Sequence, residues 1–160
     1  MKRLERIALM LGLLASLIGC DAGMDRLQPG VSSLADVLAV MGAPSAEWRE
    51  PDGATTYEFT RQPEGVVNYT ATVGPDGILR ALEQTLTEQR FARVAPGMTK
   101  DEIRRLLGQP AQRVPFALKQ EETWSWRYQP EPGRQMWFNV NFDPSGKVVS
   151  TSRSPADTTA

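Results

Sequence analysis

The 160-residue sequence contains no histidine and only one cysteine, Cys20. The absence of histidine excludes Ser-His-Asp and Cys-His catalytic centres, histidine zinc sites and imidazole general bases. The closest carboxylate pairs are Asp101-Glu102, which opens a predicted helix, and Glu121-Glu122, which adjoins a predicted strand. Acidic residues favour the positive end of a helix dipole, and neighbours on a strand point to opposite faces. We therefore predict no enzyme activity, no metal site and no cofactor.

The sequence also lacks a marked excess of charge of either sign. Its 18 basic and 19 acidic residues give a net charge of −1, and no basic cluster is present. Nucleic-acid binding is therefore not expected. The hydrophobic content of 41% is ordinary for a globular protein and argues against overall disorder.

The N-terminus has the pattern of an export signal. Residues 2–6 are mostly charged, and residues 7–19 contain neither charge nor proline. This apolar run is shorter than the roughly 20 residues that a transmembrane helix needs. It ends in Leu17-Ile18-Gly19-Cys20, which resembles the lipobox of bacterial lipoproteins. The resemblance implies cleavage before Cys20 and its modification by diacylglycerol and an amide-linked fatty acid such as palmitate. The alternative is a buried thiol in a secreted domain.

Two parts of the chain carry the same helix signals. Each has a capping-box pattern at the start of a short apolar stripe and a glycine followed by proline at its end. The matching signals lie about 66 residues apart: Pro29-Gly30 and Pro96-Gly97, Ser33 to Asp36 and Thr99 to Glu102, Gly42-Ala43-Pro44 and Gly108-Gln109-Pro110. Brief helical turns are also predicted before each main helix, at 24–27 and 87–93.

The segments after these helices repeat a strand pattern in which apolar and polar residues alternate. Turns with proline and glycine separate the predicted strands. Each copy should therefore have the order α-α-β-β-β, with an antiparallel meander sheet and its helices on one face. The predicted strands are 57–59, 67–73 and 78–85 in the first copy, and 124–126, 136–142 and 147–152 in the second.

The repeat predicts an α+β fold class with two tandem α-α-β-β-β units. Residues 1–19 are the predicted signal peptide, 20–86 the first unit and 87–153 the second. Residues 154–160 have nothing to bury and are predicted to be a disordered tail.

The second copy resembles the SmpA/OmlA lipoproteins, also called BamE-like. The resemblance lies in the order of short motifs over about 60 residues behind a lipobox: Val94 to Thr99, Leu107 to Pro110, Thr123 to Tyr128 and Val140 to Val148. The first copy is a fainter relative, with Val31-Ser32 in place of Met-Thr and Tyr57 and Phe59 in place of the two tryptophans.

The resemblance implies a membrane-anchored, non-catalytic adaptor in outer-membrane protein assembly or envelope integrity. Its expected partners are the assembly machinery or another envelope protein, and anionic lipid headgroups. Arg104, Arg105 and Arg113 are candidate headgroup contacts or a solvated helix face. The implied location is the outer membrane, facing the periplasm. Asp21 leaves the inner membrane open, because in enteric bacteria a residue of this kind after the lipidated cysteine keeps lipoproteins there.

A second functional interpretation comes from the tandem plan itself. Secreted β-lactamase inhibitor proteins also consist of two similar α/β units, whose joined sheet grips an enzyme on a concave surface. The alternative function is therefore an inhibitor or binding protein of this kind.

The candidate contact residues are mostly aromatic. Trp124, Trp126 and Tyr128 share one face of a predicted strand, where they form either the core beneath the helix or a contact surface for a partner. Trp137 should face the side opposite to its neighbours, which favours a contact role. Phe116 matches a position near the interaction surface implied by the family resemblance.

Overall fold

The computed structural model describes residues 23–118 and 120–156, so the signal peptide and Cys20 lie outside the described residues. The first unit begins with a 3-10 helical turn at Met24–Arg26. It continues with α1 (Leu34–Met41), β1 (Ala46–Arg49), β2 (Thr55–Thr60), β3 (Asn68–Val73) and β4 (Leu79–Gln84).

The second unit repeats this order. It contains α2 (Glu88–Phe91), α3 (Lys100–Leu107), β5 (Gln112–Phe116), β6 (Glu121–Glu131), β7 (Arg134–Phe142) and β8 (Val148–Pro155). Among the described helices, none has the length and apolar character needed to span a bilayer.

Each unit has a four-stranded antiparallel meander, whereas the sequence predicted three strands. The sheet orders are β1-β2-β3-β4 and β5-β6-β7-β8. The sequence analysis missed β1 and β5, which lie at sheet edges. β5 is exposed throughout, and β1 has only four residues, of which Ala46 and Trp48 are half-buried. Pro115 in β5 further weakened the strand signal, although a strand at an edge tolerates the lost N–H.

The two sheets are separate in the described part of the chain, where no strand of one pairs with a strand of the other. The joined concave sheet expected for an inhibitor-like protein is therefore not formed. The prediction of a disordered tail from residue 154 was wrong at its start. Ser154 and Pro155 belong to β8 and pair with Trp137 and Met136 of β7.

The main helices begin and end as their sequences predict. Ser33 Oγ accepts from Asp36 N at 3.2 Å, and the Asp36 carboxylate accepts from Ser33 N at 2.7 Å. Thr99 and Glu102 make the same reciprocal pair, at 3.1 and 2.7 Å. Both helices end at a glycine with positive φ, which only glycine adopts at little cost.

Each unit buries one face of its sheet against its own helix. In the first unit, Val37 and Met41 of α1 pack with apolar residues of the sheet such as Phe59. In the second, Ile103, Leu106 and Leu107 of α3 join a larger cluster of sheet residues: Trp124, Trp126, Tyr128, Phe138, Val140, Phe142 and Val148.

The units stack because α3 also contacts the first sheet. The buried side of α3 packs on the second sheet. Arg104, on the other side of α3, reaches Glu58 at 2.9 Å on the face of the first sheet that points away from α1. The layers therefore follow the order α1, first sheet, α2 and α3, second sheet. This order covers both faces of the first sheet and leaves one face of the second sheet open.

Candidate partner-binding face

Three of the predicted contact residues are buried in the core of the second unit. Trp124, Trp126 and Tyr128 all project towards α2 and α3, and Trp126 is fully buried. The Trp126 indole donates to the carbonyl of Gly108 at the end of α3, at 3.0 Å. The Tyr128 and Phe91 rings pack in a T-shaped arrangement, with centroids 4.8 Å apart. These side chains hold the helices on the sheet and offer no free surface to a partner.

Trp137 and Phe116 lie on the opposite, open face of the second sheet. Trp137 pairs in register with Arg127, whose guanidinium stacks over the indole ring at 5.0 Å. Phe116 pairs with Glu121 and is 47% exposed. The two candidates therefore share a face, which we call the outer face of the second sheet.

The apolar part of the outer face continues beyond Phe116. Val114, two residues earlier on β5, is exposed, and Leu118 in the following turn is fully exposed. A shallow depression of about 300 Å³ is lined by residues 115–118. An exposed apolar strip of this kind at a sheet edge is typical of a contact surface.

Apart from Glu121 and Arg127, uncharged polar side chains fill the rest of the outer face. Thr123 donates to Asn141 Oδ1 at 2.6 Å, and Asn141 donates to Ser150 Oγ at 2.9 Å. Asn139 donates to Ser152 and Ser154 at 3.3 and 3.4 Å. These side chains form hydrogen bonds with one another across three strands. A partner that covers them would therefore leave few polar groups without a hydrogen bond.

The corresponding face of the first sheet is covered by the second unit. Glu58 on β2 is fully buried and accepts two hydrogen bonds from Arg104, at 2.9 and 3.2 Å. It accepts a third from the backbone N–H of Gln109 at 3.0 Å. Nearby, Arg105 stacks over the Trp48 ring at 5.6 Å and lies 3.8 Å from the Glu50 carboxylate.

The first sheet also completes the end of α3. Asn68 donates to the carbonyls of Leu107 and Gln109 at 3.1 and 3.0 Å, and Thr85 donates to that of Leu107 at 2.8 Å. The last carbonyls of a helix have no partner within the helix, so these side chains act as its C-terminal cap.

Gln62 makes a further link between the units. Its side-chain amide donates to the carbonyl of Arg127 at 2.8 Å and accepts from the N–H of the same residue at 3.0 Å. β5 pairs only with residues 121–125 of β6, so Gln62 occupies the edge of β6 beyond that pairing.

The strand registers show which residues of the two faces correspond. In the first sheet, Ala46 pairs with Glu58 and Thr70 pairs with Glu83. The equivalent pairs in the second sheet are Gln112 with Ser125 and Asn139 with Ser152. By this correspondence the second sheet replaces three carboxylates with uncharged residues: Phe116 stands for Glu50, Ser125 for Glu58 and Ser152 for Glu83. All three carboxylates meet arginines of α2 or α3. The open face thus lacks the three carboxylates of the covered face, although it carries Glu121 and Arg127.

The arginines considered as lipid-headgroup contacts have partners within the protein. Arg104 binds Glu58, Arg105 lies between Trp48 and Glu50, and Arg113 stacks over Trp124 at 4.5 Å. Arg104 is therefore neither a headgroup contact nor part of a solvated helix face.

The two carboxylate pairs have structural roles in the described residues. Glu102 belongs to the α3 capping box, and Glu122 lies on the core face, where it binds Lys100 and accepts from the Trp124 indole at 2.7 Å. The hydrogen bond from Lys100 is the largest of the influences that lower the pKa of Glu122, and burial partly opposes them. No group of three or more metal-binding side chains occurs in residues 23–118 and 120–156.

The second unit is similar to known proteins. Residues 84–152 match the family model described as the outer membrane protein assembly factor BamE domain. A solved structure of a proposed osmotically inducible lipoprotein, OsmE, is 28% identical, with 44% of this chain and 75% of that chain covered and a TM-score of 0.38.

Two further solved structures are similar at lower identity. The DUF4309 family protein YjgB from Bacillus subtilis subsp. subtilis str. 168 is 15% identical, with 81% of this chain and 82% of that chain covered and a TM-score of 0.31. A proposed β-lactamase inhibitor protein from Streptococcus mutans is 9% identical, with coverages of 83% and 93% and a TM-score of 0.32. No curated protein matches this sequence. The family match runs from the end of β4 through most of the second unit, and over residues 84–152 this chain is similar to the BamE domain.

Proposed function

We propose that this protein is a lipid-anchored adaptor of outer-membrane protein assembly that faces the periplasm and binds its partner on the outer face of the second sheet. The BamE-family domain at residues 84–152 supports the assembly role. The carrying observation is the contrast between the two sheets. The first has its outer face covered by α3, whereas the corresponding face of the second is open, lacks the corresponding carboxylates and has exposed apolar side chains along its β5 edge.

Trp137 and Phe116 are the proposed contact residues on this face. Trp137 is half-buried and held flat by Arg127, so little side-chain entropy remains to be lost when a partner covers it. Aromatic side chains presented in this way commonly dominate binding energy at protein interfaces. Trp124, Trp126 and Tyr128 act indirectly, by fixing the sheet on its helices.

Site-specific photocrosslinking in membranes tests the contact face. A benzoylphenylalanine at position 116 should crosslink to a component of the outer-membrane assembly machinery, and Trp137→Ala should reduce that product severalfold. Trp48→Ala is the matched control, because Trp48 lies on the corresponding face of the first sheet beneath Arg105. Equal crosslinking in both variants, or no product containing an assembly component, would contradict the proposal.

Lipidation and location are tested separately. Labelling with a fatty acid should mark the wild-type protein and fail in Cys20→Ala, and persistent label in the variant would exclude this anchor. Membrane fractionation should place the protein in the outer membrane. Wild-type protein found wholly in the inner membrane and moved outward by Asp21→Ser would contradict the assembly role.

A further inference from the structure

The outward side of α1 is apolar although it is exposed. Asp36 is the only charged residue in this helix, and Ala35, Leu38 and Ala39 are exposed beside it. Val31, in the turn before the helix, is 71% exposed. A helix that faces water normally carries charged and polar side chains on its outer side. This side of α1 therefore has the composition of a surface that is covered in the working protein.

Comparison with α3 shows that the apolar composition is not a constraint of the fold. Leu38 and Ala39 occupy the positions that correspond to Arg104 and Arg105. In the second unit these arginines bind Glu58 and Glu50 of the first sheet. The same helix position thus carries positive charge where an acidic protein face covers it and aliphatic side chains at the open end of the stack.

The chain itself indicates what covers α1. A Cβ atom placed on Gly23 would lie 3.6 Å from Val40 Cγ1, so the chain enters the first unit directly against α1. Cys20 is three residues earlier, which allows a separation of at most about 11 Å. A lipid on Cys20 holds that residue at the membrane surface, and the α1 layer must then lie next to the bilayer.

We propose that the outward side of α1, with Val31, rests on the lipid bilayer and sets the orientation of the whole protein. This inference depends on the lipid anchor in the proposed function. Contact between exposed aliphatic side chains and the acyl boundary is favourable, and the covalent lipid removes the need for that contact to bind the membrane alone. The outer face of the second sheet, at the opposite end of the stack, then points away from the membrane.

Fluorescence quenching of the full-length lipoprotein in liposomes tests the orientation. The environment-sensitive label NBD is attached through a maleimide to Leu38→Cys and, in a second variant, to Val31→Cys, whose position outside the helix leaves the core unchanged. Ser152→Cys is the control, because Ser152 is exposed on the outer face of the second sheet. The liposomes contain phosphatidylethanolamine and phosphatidylglycerol, with and without a nitroxide-labelled lipid.

Labels at positions 31 and 38 should lose most of their emission to the nitroxide lipid and resist quenching by iodide, and the label at position 152 should do the opposite. Equal quenching by iodide at all three positions overturns the orientation. Protection from iodide without quenching by the nitroxide lipid shows a protein cover, such as a second copy of the chain, and also overturns it. Labelling of the wild-type protein reveals a free Cys20 thiol, which contradicts the anchor and so distinguishes failure of the proposed function from failure of the orientation alone.

Discussion

The ion pair between Glu58 and Arg104 should contribute more to stability than any other charged contact between the units. Glu58 is fully buried, and its carboxylate accepts from Arg104 Nε, Arg104 Nη2 and the N–H of Gln109. Arg104→Leu leaves a buried carboxylate with the Gln109 N–H as its remaining partner among these. Removing one partner of a buried pair costs about 3–5 kcal/mol. Since the Arg104 side chain is 22% exposed, water can partly replace it, and we expect a loss of about 3 kcal/mol.

Equilibrium urea unfolding of residues 21–160 measures this loss as a change in midpoint at constant slope. Arg105→Leu is the matched control on the next residue of the helix. The Arg105 side chain is 51% exposed and lies 3.8 Å from Glu50, so its loss should cost at most about 1 kcal/mol. The double variant Glu58→Leu/Arg104→Leu leaves neither charge unpaired and should be less destabilised than the sum of its single variants. If Arg104→Leu costs no more than Arg105→Leu, the pair does not hold the units together and the reasoning fails.

Three further predictions test other contacts. Gly42→Ala and Gly108→Ala both force a side chain to φ near +80°, but only the second places a Cβ within 2.9 Å of Asn68 Nδ2, so it should lower the urea midpoint further; equal losses would show that Asn68 gives way. Gln62→Ala, which removes both hydrogen bonds to the Arg127 backbone, should cost about 1–3 kcal/mol by the same assay, and a neutral result would mean that water replaces them. The lowered pKa of Glu122 contributes stability above its usual value of 4.5 that is lost as the pH falls through the lower folded value, so Glu122→Gln should weaken the acid dependence of the urea midpoint, and an unchanged pH profile would contradict this.

The local features of the fold could be predicted because their causes lie within a few residues. A capping box needs only a hydroxyl and a carboxylate three residues apart, as in Ser33 and Asp36, and a helix end needs a glycine that tolerates positive φ. The alternation that predicted the central strands arises because each buries one face. The edge strand β5 was missed for the same reason, since it is exposed throughout and alternation has no cause there.

The candidate site was harder to predict because its residues meet across long distances in the sequence. Glu58, between Tyr57 and Phe59, has the pattern of an outward-facing residue on a half-buried strand. Its burial depends on Arg104, 46 residues later, and no local signal reports that contact. The role of Trp126 was ambiguous because a large aromatic side chain suits a core and an interface equally, and the hydrogen bond from its indole to Gly108 decides for the core.

The cost of removing a charge from water explains why the first sheet carries carboxylates that the second sheet lacks. Glu58 is tolerated beneath α3 because Arg104 arrives with the covering helix and supplies both charge and hydrogen bonds. A carboxylate at the corresponding position of the second sheet, where Ser125 is only 7% exposed, would be desolvated within the sheet itself, at a cost of several kcal/mol unless a matching cation were supplied. Ser125 removes this requirement, because a serine hydroxyl is far less costly to cover than a carboxylate. The centre of the outer face thus has no carboxylate that a partner would need to neutralise, and the amide and hydroxyl groups of Asn139, Asn141 and Ser150 favour an uncharged partner surface there.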